Sequence, residues 1–272
     1  EEQVIGIQDT EIANEWLCRC INSKPSYVAL DSETTGLYPR DGYMLGISLS
    51  YEAGYGVYID VDCFNERTEA LLQTLFNQTV VVFHNAKFDI AFFEYHFKFN
   101  FPHFEDTMLL HYLINENPGT HGLKQLAMKF TPYGDYEKEQ YEWIADYCKR
   151  TGTLRGDFTW DSIPFEIMRK YAAMDAVVTL LVYEKVVKIK QNKQLEKVYN
   201  DILIPGTKFL LDAQDNGVPF DKTRLHEAQE LMQDEIDNAI KSLYEFKEVK
   251  EFENINGKDF NPNSTLQLRQ LF

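Results

Sequence analysis

The sequence predicts an α/β fold: a mixed sheet flanked by helices, followed by an all-α segment. Three observations predict it. Short β-prone runs crowd the chain before Lys87, and the first three of them are separated only by turns. From Lys87 onward the patterning is almost wholly helical. There is no regular βαβ alternation, no G-x-G-x-x-G and no Walker loop, which argues against a Rossmann-type or P-loop architecture.

Ile12, Trp16 and Leu17 fall at helical spacing and predict a first helix over 10–22. Residues 27–31 (YVALD) predict the first strand, and 44–50 and 56–61 the next two, with Gly-containing turns between them. A helix is expected over 68–76 and a fourth strand over 80–83. Helices then follow at 87–97, 105–114, 122–130 and 164–191. Residues 131–163 are rich in Tyr, Gly and charge and read as a surface excursion with one short helix; no role is assigned to them. A second unit is expected from 192, with helices at 195–214, closed by Asn216-Gly217, and at 222–246, then a polar stretch over 247–258. The expected domains are therefore 1–191 and 192–272.

Composition sets outer bounds. Hydrophobic residues at 44% and aromatics at 14% exclude global disorder. Charges interrupt every apolar run, so no membrane segment is expected. The first residues have neither the basic nor the apolar region of a signal peptide. Four cysteines without a C-x-x-C pair suggest a reducing compartment rather than a disulfide framework. The six histidines show no zinc spacing. The net charge of −16 argues against gripping nucleic acid by long-range charge alone. It leaves open an enzyme whose carboxylates bind phosphates through divalent cations. The acidic 221–253 region reads as a solvated face.

The candidate chemistry lies in carboxylates. Asp31 and Glu33 end the first strand, and residues i and i+2 of a strand share a face. D-x-E occurs at 9–11, 31–33 and 135–137, but only 31–33 follows a buried-looking strand. Asn85 and Asp89 open the helix after the fourth strand. There an Asn cap and an Asp favouring the helix dipole are the plainer reading. Tyr171 and Asp175 sit one turn apart inside the long helix, with small residues between them. Each motif alone is weak. Together, in strand, helix-start and helix contexts, they can converge on one cleft. Clustered carboxylates repel, and divalent cations relieve that repulsion.

At these residues the chain resembles the DEDD 3′–5′ exonucleases of the Tyr-containing branch, and most of all the proofreading domain of family A DNA polymerases. Residues 104–109 (FEDTML), 121–126 (HGLKQL) and 171–179 (YAAMDAVVT) are similar to three further family segments. Residues 204–221 resemble the entry into the polymerase domain, and 260–268 (FNPNSTLQL) its thumb. The resemblance implies a ribonuclease H-like sheet and two divalent ions, Mg²⁺ with Mn²⁺ substituting. It implies that Asp31, Glu33, Asp89 and Asp175 are metal ligands and that Tyr171 orients the attacking water. Asn85 would hold the 3′-terminal nucleotide, while Leu37 and Phe88 would lie against the terminal bases. The implied partners are a single-stranded DNA 3′ end and the remainder of a polymerase, because the chain stops before any palm or fingers motif. The expected location is a bacterial or phage-infected cytoplasm, or an organelle. Two other readings share the motifs: a ribonuclease D-like or helicase-associated exonuclease, and a non-catalytic DNA-binding module.

Overall fold

The computed structural model describes residues 3–271. In chain order, β1 (Gln3–Ile7) leads into α1 (Thr10–Ser23), which Asp9 caps by accepting the N–H groups of Glu11 and Ile12. β2 (Tyr27–Thr34), β3 (Met44–Glu52) and β4 (Tyr55–Asp60) follow, then α2 (Glu66–Gln78), β5 (Val80–Phe83) and α3 (Ala86–Phe97). β6 (Phe104–Asp106) runs directly into α4 (Thr107–Tyr112). α5 (Leu123–Phe130), α6 (Lys138–Thr151) and the 22-residue α7 (Phe165–Val186) complete this region. The remaining helices are α8 (Lys193–Val198), α9 (Ile204–Asn216), α10 (Lys222–Glu245), α11 (Lys247–Asn256) and α12 (Thr265–Leu271).

The six strands form one mixed sheet in the order β1-β4-β3-β2-β5-β6. β2, β3 and β4 are an antiparallel meander, whereas β1 joins β4, β5 joins β2 and β6 joins β5 in parallel. The antiparallel meander is the start that the early strands predict, and the mixed sheet is the ribonuclease H-like arrangement that the resemblance implies. Strand parity sorts the sheet's two faces. Val28, Leu30, Val81 and Phe83 point to the side covered by α1, α2 and α3. An aromatic cluster fills that side, with Phe76 and Phe101 rings 4.8 Å apart. Ala29 and Val82 point to the other side, against α4, α5 and α7.

Several elements depart from the sequence expectations. β1 is a five-residue edge strand that the patterning does not reveal. β6 occupies residues expected to begin a helix; three residues are too few to show a period. The excursion after α5 contains α6, 14 residues long rather than short. Residues 247–256 form a helix because Val249 and Phe252, three apart, bury into a small core with Phe260.

The chain separates into two compact units, the first running to Asp215 and the second starting at Asn216. The sequence places its division at 191/192. Residues 192–215 instead pack with the first unit: Tyr199 is fully buried and its hydroxyl accepts the Asp106 N–H at 2.7 Å, while Leu211 joins the core. Within the second unit, Phe260 is buried, Tyr244 donates its hydroxyl to the Phe260 carbonyl at 2.6 Å, and Gln267 accepts the Asn261 N–H at 2.7 Å. The thumb-like motif thus secures a local turn. Among the described residues no helix is long and apolar enough to cross a membrane.

Candidate active site

Strand parity explains why the acids diverge into two sets. Asp31 and Glu33 share the face of Ala29, so both point toward α7. On α7, Ala172 and Ala173 are fully buried, and these small side chains bring the helix close to the sheet. Asp175 follows on the same helix. The result is a cluster in which single oxygens of Asp31, Glu33 and Asp175 all lie within 4.8 Å of one another. Glu33 and Asp175 are buried and Asp31 is partly exposed.

Ser32 has the opposite parity and faces α3. There Asp89 Oδ1 accepts both the Ser32 N–H, at 2.9 Å, and its hydroxyl, at 2.6 Å. Asp89 therefore stands beside the three-carboxylate cluster and outside it, tied to the strand residue between the two acids.

Among the described residues, no Lys or Arg forms an ion pair with Asp31, Glu33 or Asp175, so no cation offsets their charge. Burial raises the Asp31 carboxyl well above its usual range, and the charges of Asp89, Asp175 and Glu33 raise it further. Glu33 is raised by burial, then by Asp175 and Asp89. Burial also lifts Asp175 to about 7, against hydrogen bonds from Tyr136 and Tyr171, and Asp89 to about 7, against those from Ser32. Buried, converging hard oxygens with excess negative charge are the donor set that Mg²⁺ or Mn²⁺ takes. The residues fit a divalent cation.

A stability prediction follows from those directions. Asp89 and Asp175 hold protons in the folded chain up to about pH 7, whereas unfolded aspartates release them near 3.8. The stability they contribute is complete below about pH 4 and is lost as pH rises through 7. With divalent ions chelated, these groups are expected to lower the melting temperature between pH 5 and pH 8. Added Mn²⁺ should raise it more at pH 8 than at pH 5. Thermal melts at both pH values check this; an equal Mn²⁺ effect at both would contradict it.

The cleft over the acids has a volume of about 450 Å³. Tyr171 lines it, as do Tyr136 and Glu137 from the segment between α5 and α6. Lys124 is the one Lys or Arg among the described lining residues, and it is paired with Glu137. Tyr136, to which the sequence assigns no role, donates its hydroxyl to Asp175 Oδ1. Its ring stacks on Tyr171, centroids 6.3 Å apart at 20°.

The three remaining candidates meet elsewhere. Leu37, Asn85 and Phe88 together line a separate hollow of about 100 Å³. Leu37 is 76% exposed, which sets aside a core role for it. Phe88 is partly buried and packs on Phe92 with ring centroids 5.1 Å apart. Asn85 does not act as a side-chain cap. It adopts a left-handed backbone (φ 68°), a conformation Asn tolerates, and makes no cap hydrogen bond. Asp106 replaces it: its carboxylate accepts the N–H groups of Asn85 and Ala86, at 3.1 and 2.8 Å, and of Met108 at 2.8 Å. One buried acid thus fixes the starts of both α3 and α4. The FEDTML segment carries this residue, though motif reading alone does not reveal its task.

Residues 4–191 match the family described as 3′–5′ exonuclease, that of DNA polymerase A. The DNA polymerase of Escherichia phage T5 is 43% identical over 274 residues, covering 97% of this chain and 32% of that protein. The chain thus spans about a third of that relative's length. Among solved structures, the polymerase domain of Pol1 from M. smegmatis, in complex with DNA primer-template and dNTP, aligns with a TM-score of 0.56 at 18% identity, over 99% of this chain and 40% of that one. Escherichia coli RNase D, an exoribonuclease, aligns with a TM-score of 0.56 at 16% identity, over 80% of this chain and 52% of that one. At these identities the two structures establish a shared fold.

Proposed function

Given that this chain belongs to the 3′–5′ exonuclease family of DNA polymerase A, we propose that it removes nucleoside monophosphates from single-stranded or frayed DNA 3′ ends, as the proofreading part of a DNA polymerase. The observation that carries this reading is the convergence of Asp31, Glu33 and Asp175 from a strand end and a facing helix. The family is metal-dependent, and we assign one divalent ion to those three acids and a second to Asp31 with Asp89. Mg²⁺ is the proposed ion, with Mn²⁺ substituting. Bound ions of this kind neutralise phosphate charge and make water more acidic.

The chain's own groups then divide the remaining work. The Tyr171 hydroxyl orients the attacking water, whose oxygen bonds to the terminal phosphorus as the bond to the penultimate 3′ oxygen breaks. That oxygen takes up a proton, and a nucleoside 5′-monophosphate leaves. Asn85 holds the terminal sugar, and Leu37 and Phe88 flank the end bases, since apolar and aromatic platforms accept any base. The rest of a polymerase chain is the proposed partner.

Substrate form provides the test. A paired 3′ end must unstack and unpair to reach acids set beside a strand end, which costs least at a mismatch. A chain of net charge −16 has no electrostatic excess with which to grip duplex. Initial digestion rates of 3′-labelled oligonucleotides in Mn²⁺ should rank single-stranded DNA above mismatched ends and mismatched above paired ends. RNA of the same sequence should be cut more slowly. Equal rates on paired and single strands, or a preference for RNA, would overturn the assignment.

A further inference from the structure

We propose that Tyr136 is a positioning residue for Asp175, fixing the carboxylate that the reading above makes a metal ligand; the inference rests on that reading. The terminal torsion of an aspartate is broad and roughly two-fold, so an unrestrained carboxylate samples many orientations. A hydrogen bond on one oxygen fixes the other. Tyr136 supplies that bond to Oδ1 from a segment 39 residues away in sequence.

The segment is itself secured, so the hydroxyl is delivered from a braced position. Glu137, next in sequence, pairs with Lys124 at the start of α5. The Lys124 ammonium also lies 4.5 Å from the Tyr141 ring of α6. On α6, Glu139 accepts from Lys170 of α7 at 3.0 and 3.1 Å. Tyr136 is therefore held between α5, α6 and α7, with its ring stacked on Tyr171. Tyr171 precedes Asp175 by one turn of the same helix, so the two tyrosines reach it from independent elements. Partners that orient metal-binding carboxylates typically account for 10–100-fold in metal affinity or activity.

Calorimetric titration of the 272-residue chain with Mn²⁺, without DNA, tests the proposal on wild type, Tyr136→Phe and Asp175→Ala. Tyr136→Phe keeps the ring and removes only the hydroxyl. It is expected to bind Mn²⁺ about 10–100-fold more weakly, with kcat on single-stranded DNA falling at limiting Mn²⁺ and KM for DNA unchanged. Excess Mn²⁺ should restore most of the rate. Near-ultraviolet circular dichroism verifies that the variant is folded, and Tyr136→Leu should show the same loss. Unchanged Mn²⁺ affinity in Tyr136→Phe overturns the proposal. So does tighter binding, which would make the hydroxyl a competitor for the ligand oxygen, and so does a change confined to KM. Failure of the underlying reading looks different: wild type would bind no Mn²⁺, or Asp175→Ala would bind it as wild type does.

Discussion

Asp31→Ala is expected to lower the rate of 3′-end digestion by on the order of 10³-fold or more while making the ion-free protein more stable at pH 8. Both effects come from one geometry. Asp31 is shared between the two proposed ion positions, so its loss removes a ligand from each. The same carboxylate faces burial and the charges of Asp89, Asp175 and Glu33, and removing it relieves that repulsion. Single-turnover digestion in Mn²⁺ and thermal melts in chelator read the two effects separately. Near-normal digestion by the folded variant would refute the assignment of the acids. Lower stability in chelator would refute the electrostatic account.

The second large effect is expected from a residue that carries no side chain. Gly56 on β4 lies directly beneath α7, and a Cβ placed there would stand 2.5 Å from the Ala173 carbonyl oxygen and 2.8 Å from Val177 Cγ2. The nearest obstacle is backbone, so α7 itself must move. Gly56→Ala is expected to destabilise the chain by about 1–3 kcal/mol through overpacking. Ala173 sits between Tyr171 and Asp175, so a shift of the helix displaces both. Misplacement by about 1 Å can cost roughly 10²-fold in rate. Gly206→Ala on α9 is the control, because nothing lies within 4 Å of its added Cβ. Denaturant unfolding and digestion rates measure the two quantities. A Gly56→Ala protein with wild-type stability would show that the sheet–helix spacing is not fixed.

What could be read from the sequence was what local pattern encodes. The apolar run before Asp31, the i, i+2 spacing of Asp31 and Glu33, and the turn-length spacing of Tyr171 and Asp175 each follow from strand or helix periodicity. Contacts set by tertiary closure left no such trace. Tyr136 lies in a stretch whose tyrosines have no regular spacing, and only the folding of that segment against α7 selects one of them. Asp106 reads as part of an apolar helix start, yet it serves the backbone of α3 from a neighbouring strand. Ser32 looks like filler between two acids, but its opposite parity makes it the residue that Asp89 reaches. β6, three residues long, is too brief to show a period, and β1 (QVIGI) breaks its apolar run with a glycine where the shorter β5 (VVVF) is apolar throughout.

The dependence of the acidic cluster on α7 also has a consequence for the order in which the protein acquires function. α7 packs against β1, β2, β3 and β4, and it contributes the final carboxylate. On a ribosome adding about 5–20 residues per second, the 86 positions from Asp89 to Asp175 are made over on the order of 10 s. Throughout that interval the nascent chain holds Asp31, Glu33 and Asp89 without their fourth member. Long-range closure of this kind is intrinsically late in folding. On the assignment proposed above, the emerging polypeptide lacks one ligand of the three-carboxylate cluster until α7 docks, so metal binding there would favour the closed sheet and helix together.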